Sequence, residues 1–189
     1  NFRSILRSLA QNGVRGIKLH PVFQQTFLDD IRYLRIISCA CENDLIVLIH
    51  AGYDISHPDR EYSSVSHIAS MLDALNPPKL VLAHMGGWNC WKETQEQLVG
   101  RNVWLDTSFC LLPLRSAPNT PREHSESYRL CDEEFLRMVR KHGADRVLFG
   151  SDSPWGGQKE TLAALEKTGL THQELLKILG QNGAALLGI

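Results

Sequence analysis

Leu45-Ile46-Val47-Leu48-Ile49-His50 is the stretch that decides the fold. Its aliphatic residues run without polar alternation and end on a histidine. A strand buried on both faces reads this way, and both faces of a sheet are buried when its strands are parallel and helices cover it. The pattern recurs at Val14 to His20, Lys79 to His84, Asn102 to Thr107 and Arg146 to Asp152. Helical periodicity fills the gaps between these runs. Phe2 to Asn12 carries Phe2, Ile5, Leu6 and Leu9 on one face, and about Thr26 to Asn43 carries Phe27, Ile31, Leu34 and Ile37. A third helix, capped by Ser63 or Ser64, ends before Asn76-Pro77-Pro78. Further helices are predicted at Asn89 to Val99, Asp132 to Lys141, Gln158 to Lys167 and Thr171 to Leu187, the last with a break at Gly180 to Gly183. A long loop joins Ser108 to Leu130.

Strand and helix in alternation fit either an open doubly wound sheet or a barrel. No Gly-x-Gly-x-x-Gly follows a strand and no Gly-x-x-x-x-Gly-Lys occurs, which weakens the nucleotide-cradling form of the open sheet. The barrel is favoured by the strand ends: His20, His50, His84, Asp106 and Asp152 all stand at C-terminal ends. Barrel active sites assemble at that rim. Bringing three histidines and an aspartate together costs several kcal/mol unless something pairs them. A metal ion and its surrounding hydrogen bonds would do so.

Composition bounds the partners. The 189 residues carry a formal net charge of −1, so neither nucleic acid nor an anionic membrane is implied. No apolar run reaches the roughly 20 residues of a membrane helix, and the opening residues do not read as a signal peptide. The five cysteines are odd in number and form no Cys-x-x-Cys pair, so they read as ordinary core or surface residues in a reducing, cytoplasmic setting. A chain that opens inside a helix, without Met, reads as the continuation of something longer.

Ile49-His50-Ala51-Gly52, Leu82-Ala83-His84-Met85-Gly86-Gly87 and Phe149-Gly150-Ser151-Asp152-Ser153-Pro154-Trp155 resemble the strand-five, strand-six and strand-eight motifs of the amidohydrolase superfamily. The branch they resemble holds amidohydrolase-2-type hydrolases and carboxymuconate-semialdehyde-type decarboxylases. Gly16-Ile17-Lys18-Leu19-His20-Pro21 resembles strand four of that branch. The resemblance implies an α/β fold of the (β/α)8 TIM-barrel class. Residues 1–189 would be a single domain, the C-terminal portion holding strands four to eight, with the first three βα units missing.

The resemblance also implies roles. His50 would be a metal ligand. Asp152 would bind the metal and take a proton from the attacking water. His84 would bind a second metal, or polarise the substrate carbonyl, or move a proton. Zinc is the expected ion, with manganese or iron as alternatives, since mixed imidazole and carboxylate donors suit such cations. The implied activity is hydrolysis of a C–N or C–O bond in a small molecule through a metal-activated water. The alternatives are a decarboxylase of the same superfamily and a truncated, non-catalytic barrel fragment. Lys18, His20, Tyr53, Asp54 and Trp155 are candidate substrate contacts. Lys18 has two further readings: a carboxylated lysine bridging two metals, or a buried cation paired with an acid such as Asp106 or Asp152. For Trp88 and Trp155 packing is the plainer reading. His57, His67, His124, His142 and His172 are expected in solvent. The chain departs from the family in lacking the first-strand His-x-His pair, and so half the metal shell. Open sheet edges would leave this chain alone poorly stable and open to homo-oligomerisation.

Overall fold

The computed structural model describes residues 1–113 and 128–189 and divides them into two compact units, Asn1–Trp104 and Leu105–Ile189. His124 and much of the expected long loop lie outside the described residues.

In the first unit, β1 (Gly16–Leu19), β2 (Ile46–Ile49) and β3 (Leu80–Leu82) pair in parallel and in chain order. The β1–β2 register sets Gly16 opposite Ile46 and Leu19 opposite Ile49. Every residue of β3 is buried, and Val47 and Ile49 of β2 are buried too, as are Ile37, Ile68 and Met71 of the helices. Burial on both faces, expected from the unbroken aliphatic runs, holds for β3, whereas in β2 Ile46 and Leu48 are half-buried and only Val47 and Ile49 are buried, and in β1 only Leu19 is buried. Helices α1 (Phe2–Gln11) and α3 (Ile31–Glu42) pack together. Helix α4 (Val65–Ala74) starts after Ser64, and α5 (Trp91–Gln97) follows β3.

The helix expected from Thr26 to Asn43 starts later, at Ile31, and a separate short helix precedes the expected span. Helix α2 (Pro21–Gln24) opens on Pro21 and is stopped by Gln25 in the left-handed region, at φ 49°. Helix α3 starts afresh at Asp30, whose side chain accepts a bond of 2.8 Å from the Arg32 amide. Side-chain capping of that kind satisfies an amide the helix itself leaves unpaired.

In the second unit, β4 (Trp104–Asp106) contributes Leu105 and Asp106, which pair in parallel with β5 (Val147–Leu148). Here β5 is much shorter than the Arg146 to Asp152 run. Beyond Leu148 the backbone bonds elsewhere: Phe149 donates to the Ile178 carbonyl at 2.9 Å, and Gly150 to Thr107 Oγ1 at 3.0 Å. Helices α6 (Asp132–His142) and α7 (Gln158–Leu165) supply Phe135, Met138, Val139 and Leu165 to this unit's core.

The last helical stretch comprises α8 (His172–Leu176), a π turn at Lys177–Gln181, and α9 (Asn182–Leu187). The break expected at Gly180 to Gly183 is thus a widened turn. Buried Asn182 holds it by donating to the Ala144 and Val147 carbonyls, each at 2.7 Å.

Thr171 caps this stretch. Its hydroxyl accepts from the Glu174 amide at 3.2 Å, and Glu174 Oε2 accepts from the Thr171 amide at 2.7 Å. Thr171→Ala is expected to lower stability by about 1 kcal/mol in chemical denaturation. The bond from the Thr171 amide holds the Glu174 carboxyl below its ordinary value of 4.5. A lowered carboxyl pKa contributes stability above the ordinary value and loses it as pH falls through the folded one. The acid-side loss of stability is therefore expected to be shallower in a Glu174→Gln protein.

Candidate metal centre

The first unit gathers polar groups past the ends of β1, β2 and β3. His20 directly follows β1, where it serves as the N-cap of α2, and His50 directly follows β2. The parallel register that aligns Leu19 with Ile49 makes them neighbours. Their rings stack at 4.2 Å between centroids with 12° between planes. His84 lies past β3 in a tight turn at φ 60°, and its ring meets that of His50 edge-on at 4.9 Å. The Trp91 indole donates to the His84 carbonyl at 3.0 Å and fixes the turn.

His50 Nδ1 and His84 Nε2 are 3.1 Å apart. Only one of the two can carry the proton in a neutral pair. With the proton on His50 Nδ1, His50 Nε2 is left as a bare acceptor, and the partner histidine has set the tautomer. Burial pushes the His50 imidazole down to about 2, and nearby His84, His20 and Lys18 add to the shift, so the ring is neutral at physiological pH. Burial also lowers His20, against the opposing pull of Asp54. Two ring atoms, His20 Nδ1 and His50 Nε2, are buried without a hydrogen-bond partner among the described residues.

Asp54 sits four residues beyond His50, 7% exposed. Its Oδ1 accepts from the Ser56 amide at 2.8 Å and from the Ser56 hydroxyl, while Oδ2 lies 3.6 Å from His20 Nε2. His20, His50 and Asp54 each place a donor atom within 4.8 Å of the others. Two imidazoles and a carboxylate, with orphaned ring nitrogens, fit a divalent transition ion or zinc. Tyr53 stacks on Trp88 at 5.8 Å, and Trp88 is buried, as packing requires.

Several residues stand elsewhere than expected. Lys18 is exposed, not a buried cation, although its charge reaches His20 and His50. His142 is buried at 3% exposure because it lies on the inner face of α6, and His67 is half-buried with Nδ1 2.9 Å from Asp29. Trp155 is 69% exposed and does not pack. In the second unit, Asp152 is exposed at φ 57°, its carbonyl accepting from the Trp155 and Gly156 amides at 2.8 and 3.1 Å. Asp106 is buried, with Oδ1 taking the Ser108 amide at 2.9 Å and the Ser108 hydroxyl. The grouping of Asp54 with His20 depends on how the loop after β2 folds back, a feature no local pattern signals.

A family model described as Amidohydrolase matches residues 2–189. No curated protein matches the chain. Among solved structures, an uncharacterised TIM-barrel protein from Bordetella bronchiseptica aligns with a TM-score of 0.69 at 20% identity, over 98% of this chain and 61% of that one. A candidate 2-pyrone-4,6-dicarboxylic acid hydrolase from Pseudomonas putida gives 0.66 at 21% identity, over 98% and 67%. A dihydroxybenzoic acid decarboxylase from a Polaromonas species, described with bound manganese and the inhibitor 2-nitroresorcinol, gives 0.67 at 15% identity, over 99% and 64%. At these identities the likeness is one of fold. The chain spans about two thirds of the length of these structures.

Proposed function

The chain belongs to the amidohydrolase family, and from that premise we propose that it serves a divalent-metal-dependent hydrolase acting on a C–N or C–O bond of a small molecule. The observation that carries this reading is His50: buried, neutral, tied at Nδ1 to His84, and with Nε2 left without a partner among the described residues. A buried polar atom left unpaired costs about 1–3 kcal/mol, a cost that ligation would remove. His50 would hold the ion, with His84 beside it. Asp152 is assigned as a further ligand by the resemblance of its motif. Zinc is the first choice, with manganese or iron as alternatives. When bound, the ion supplies Lewis acidity, polarising the scissile bond and easing deprotonation of water.

The protein's own groups do the rest. His84, bonded to His50, moves a proton or polarises a carbonyl. Asp152 accepts the proton of the attacking water. Lys18, His20, Tyr53, Asp54 and Trp155 are the candidate substrate contacts, and exposed Lys18 would favour an anionic substrate. Residues 1–189 are read as the C-terminal portion of one barrel domain.

A decarboxylase is the second reading, supported by the dihydroxybenzoic acid decarboxylase among the similar structures. It would use the same ligands without net hydrolysis. The test strips the protein with a chelator, reloads it with zinc or manganese, and supplies 2-pyrone-4,6-dicarboxylate and dihydroxybenzoate. Metal-dependent acid production without carbon dioxide supports the hydrolase. Carbon dioxide release supports the decarboxylase. Neither product with either metal contradicts both.

A further inference from the structure

We propose that His20 and Asp54 are ligands of the same divalent ion as His50, so that the first compact unit alone carries three donors of the site. The inference rests on the reading of His50 given above and assigns His20 and Asp54 a different task from contacting substrate.

The separations carry the argument. His20 Nε2 and Asp54 Oδ2 are 3.6 Å apart, too long for a hydrogen bond and close to the spacing of two donors on one ion. With bonds of about 2.0–2.2 Å, two tetrahedral ligands stand roughly 3.4 Å apart, and no two ligands exceed about 4.4 Å. All three donors lie within 4.8 Å of one another, so tetrahedral closure asks for a shift of at most about 1.4 Å in any one separation. His20 is the group free to make it, because its side chain is 25% exposed and its ring nitrogen Nδ1 has no hydrogen-bond partner among the described residues. His50 is fixed by His84.

Asp54 is aimed as well as near. Both bonds from Ser56 fall on Oδ1, and His57 Nδ1 also lies on that side at 4.0 Å. Oδ2 is the oxygen turned toward His20. A carboxylate whose one oxygen is held by hydrogen bonds while the other faces an imidazole is how ligating carboxylates are oriented. The set is also balanced in charge. One carboxylate and two neutral rings leave a dication with a net charge near +1, which a further acidic ligand or an anionic substrate would offset.

The test measures metal binding, not turnover. Manganese and cobalt are titrated by calorimetry into the wild-type chain and into His20→Gln, Asp54→Asn, His50→Gln and, as a control, Cys131→Ser. Circular dichroism checks each fold, and Asp54→Ser replaces Asp54→Asn if the latter does not fold. His20→Gln and Asp54→Asn are each expected to raise Kd by at least about 100-fold, and cobalt absorption in the visible is expected to lose intensity or shift as a ligand is lost. If both variants bind within about threefold of wild type while His50→Gln does not bind, His20 and Asp54 are not ligands and the reading of His50 stands. If wild type binds neither metal, that reading falls and this inference with it.

Discussion

Gly52→Ala is expected to destabilise the protein by about 3 kcal/mol or more. Gly52 adopts φ 91°, a conformation that side-chain-bearing residues rarely hold. A methyl group there would overlap the Trp88 amide nitrogen and lie 2.6 Å from both the Gly87 carbonyl carbon and the Trp88 carbonyl oxygen. These are backbone atoms, so no rotamer change relieves the overlap. The strand-like contact is also pinned: Trp88 donates to the Ala51 carbonyl at 2.8 Å, Tyr53 to the Trp88 carbonyl at 3.0 Å, and Gly52 to the Ser63 carbonyl at 2.8 Å. Something in this ladder must break. Because Tyr53 and Asp54 follow directly, the site moves with it. Gly13→Ala is the comparison, since Gly13 has a similar φ of 82° but nothing within 4 Å. That change should cost only about 1 kcal/mol, the conformational part alone. Urea denaturation of both proteins gives the difference, and equal losses would mean that the close approach at Trp88 carries no energy.

Much of the site was legible because the chemistry sits where apolar runs stop. Ile46 to Ile49 and Leu80 to Leu82 read as strands of one parallel sheet, so the histidines just beyond them lie at one end of it. Their closeness follows from parallel pairing alone. Asp54 was visible only as a nearby loop residue. Its approach to His20 is made by a loop closed through Ser63, Trp88 and Gly52, contacts between segments far apart in sequence. Strand ends were overestimated for a related reason. Phe149 and Gly150 look like strand, but their amides find Ile178 and Thr107 instead of a neighbouring strand. His142, expected in solvent, falls on the helix face that carries Phe135, Met138 and Val139 inward. Of the readings open for Lys18, the buried cation is the one that fails, since the structure leaves the residue exposed. In each case local pattern identified the element and long-range packing decided the side chain's surroundings.

His50→Gln is expected to remove metal binding and to lower turnover in the presence of excess metal by at least about 100-fold. Glutamine keeps much of the volume and can still bond to His84, so the fold should survive. What disappears is the ring nitrogen Nε2, buried and unpaired among the described residues. An amide is a far poorer donor to zinc or a similar ion than a neutral imidazole. The direct measurement is metal content. Wild-type and His50→Gln proteins are dialysed against excess zinc, passed through a desalting column, and analysed by inductively coupled plasma mass spectrometry. The account predicts about one ion per wild-type chain and almost none in the variant. Equal metal in the two proteins, or none in the wild type, would contradict it.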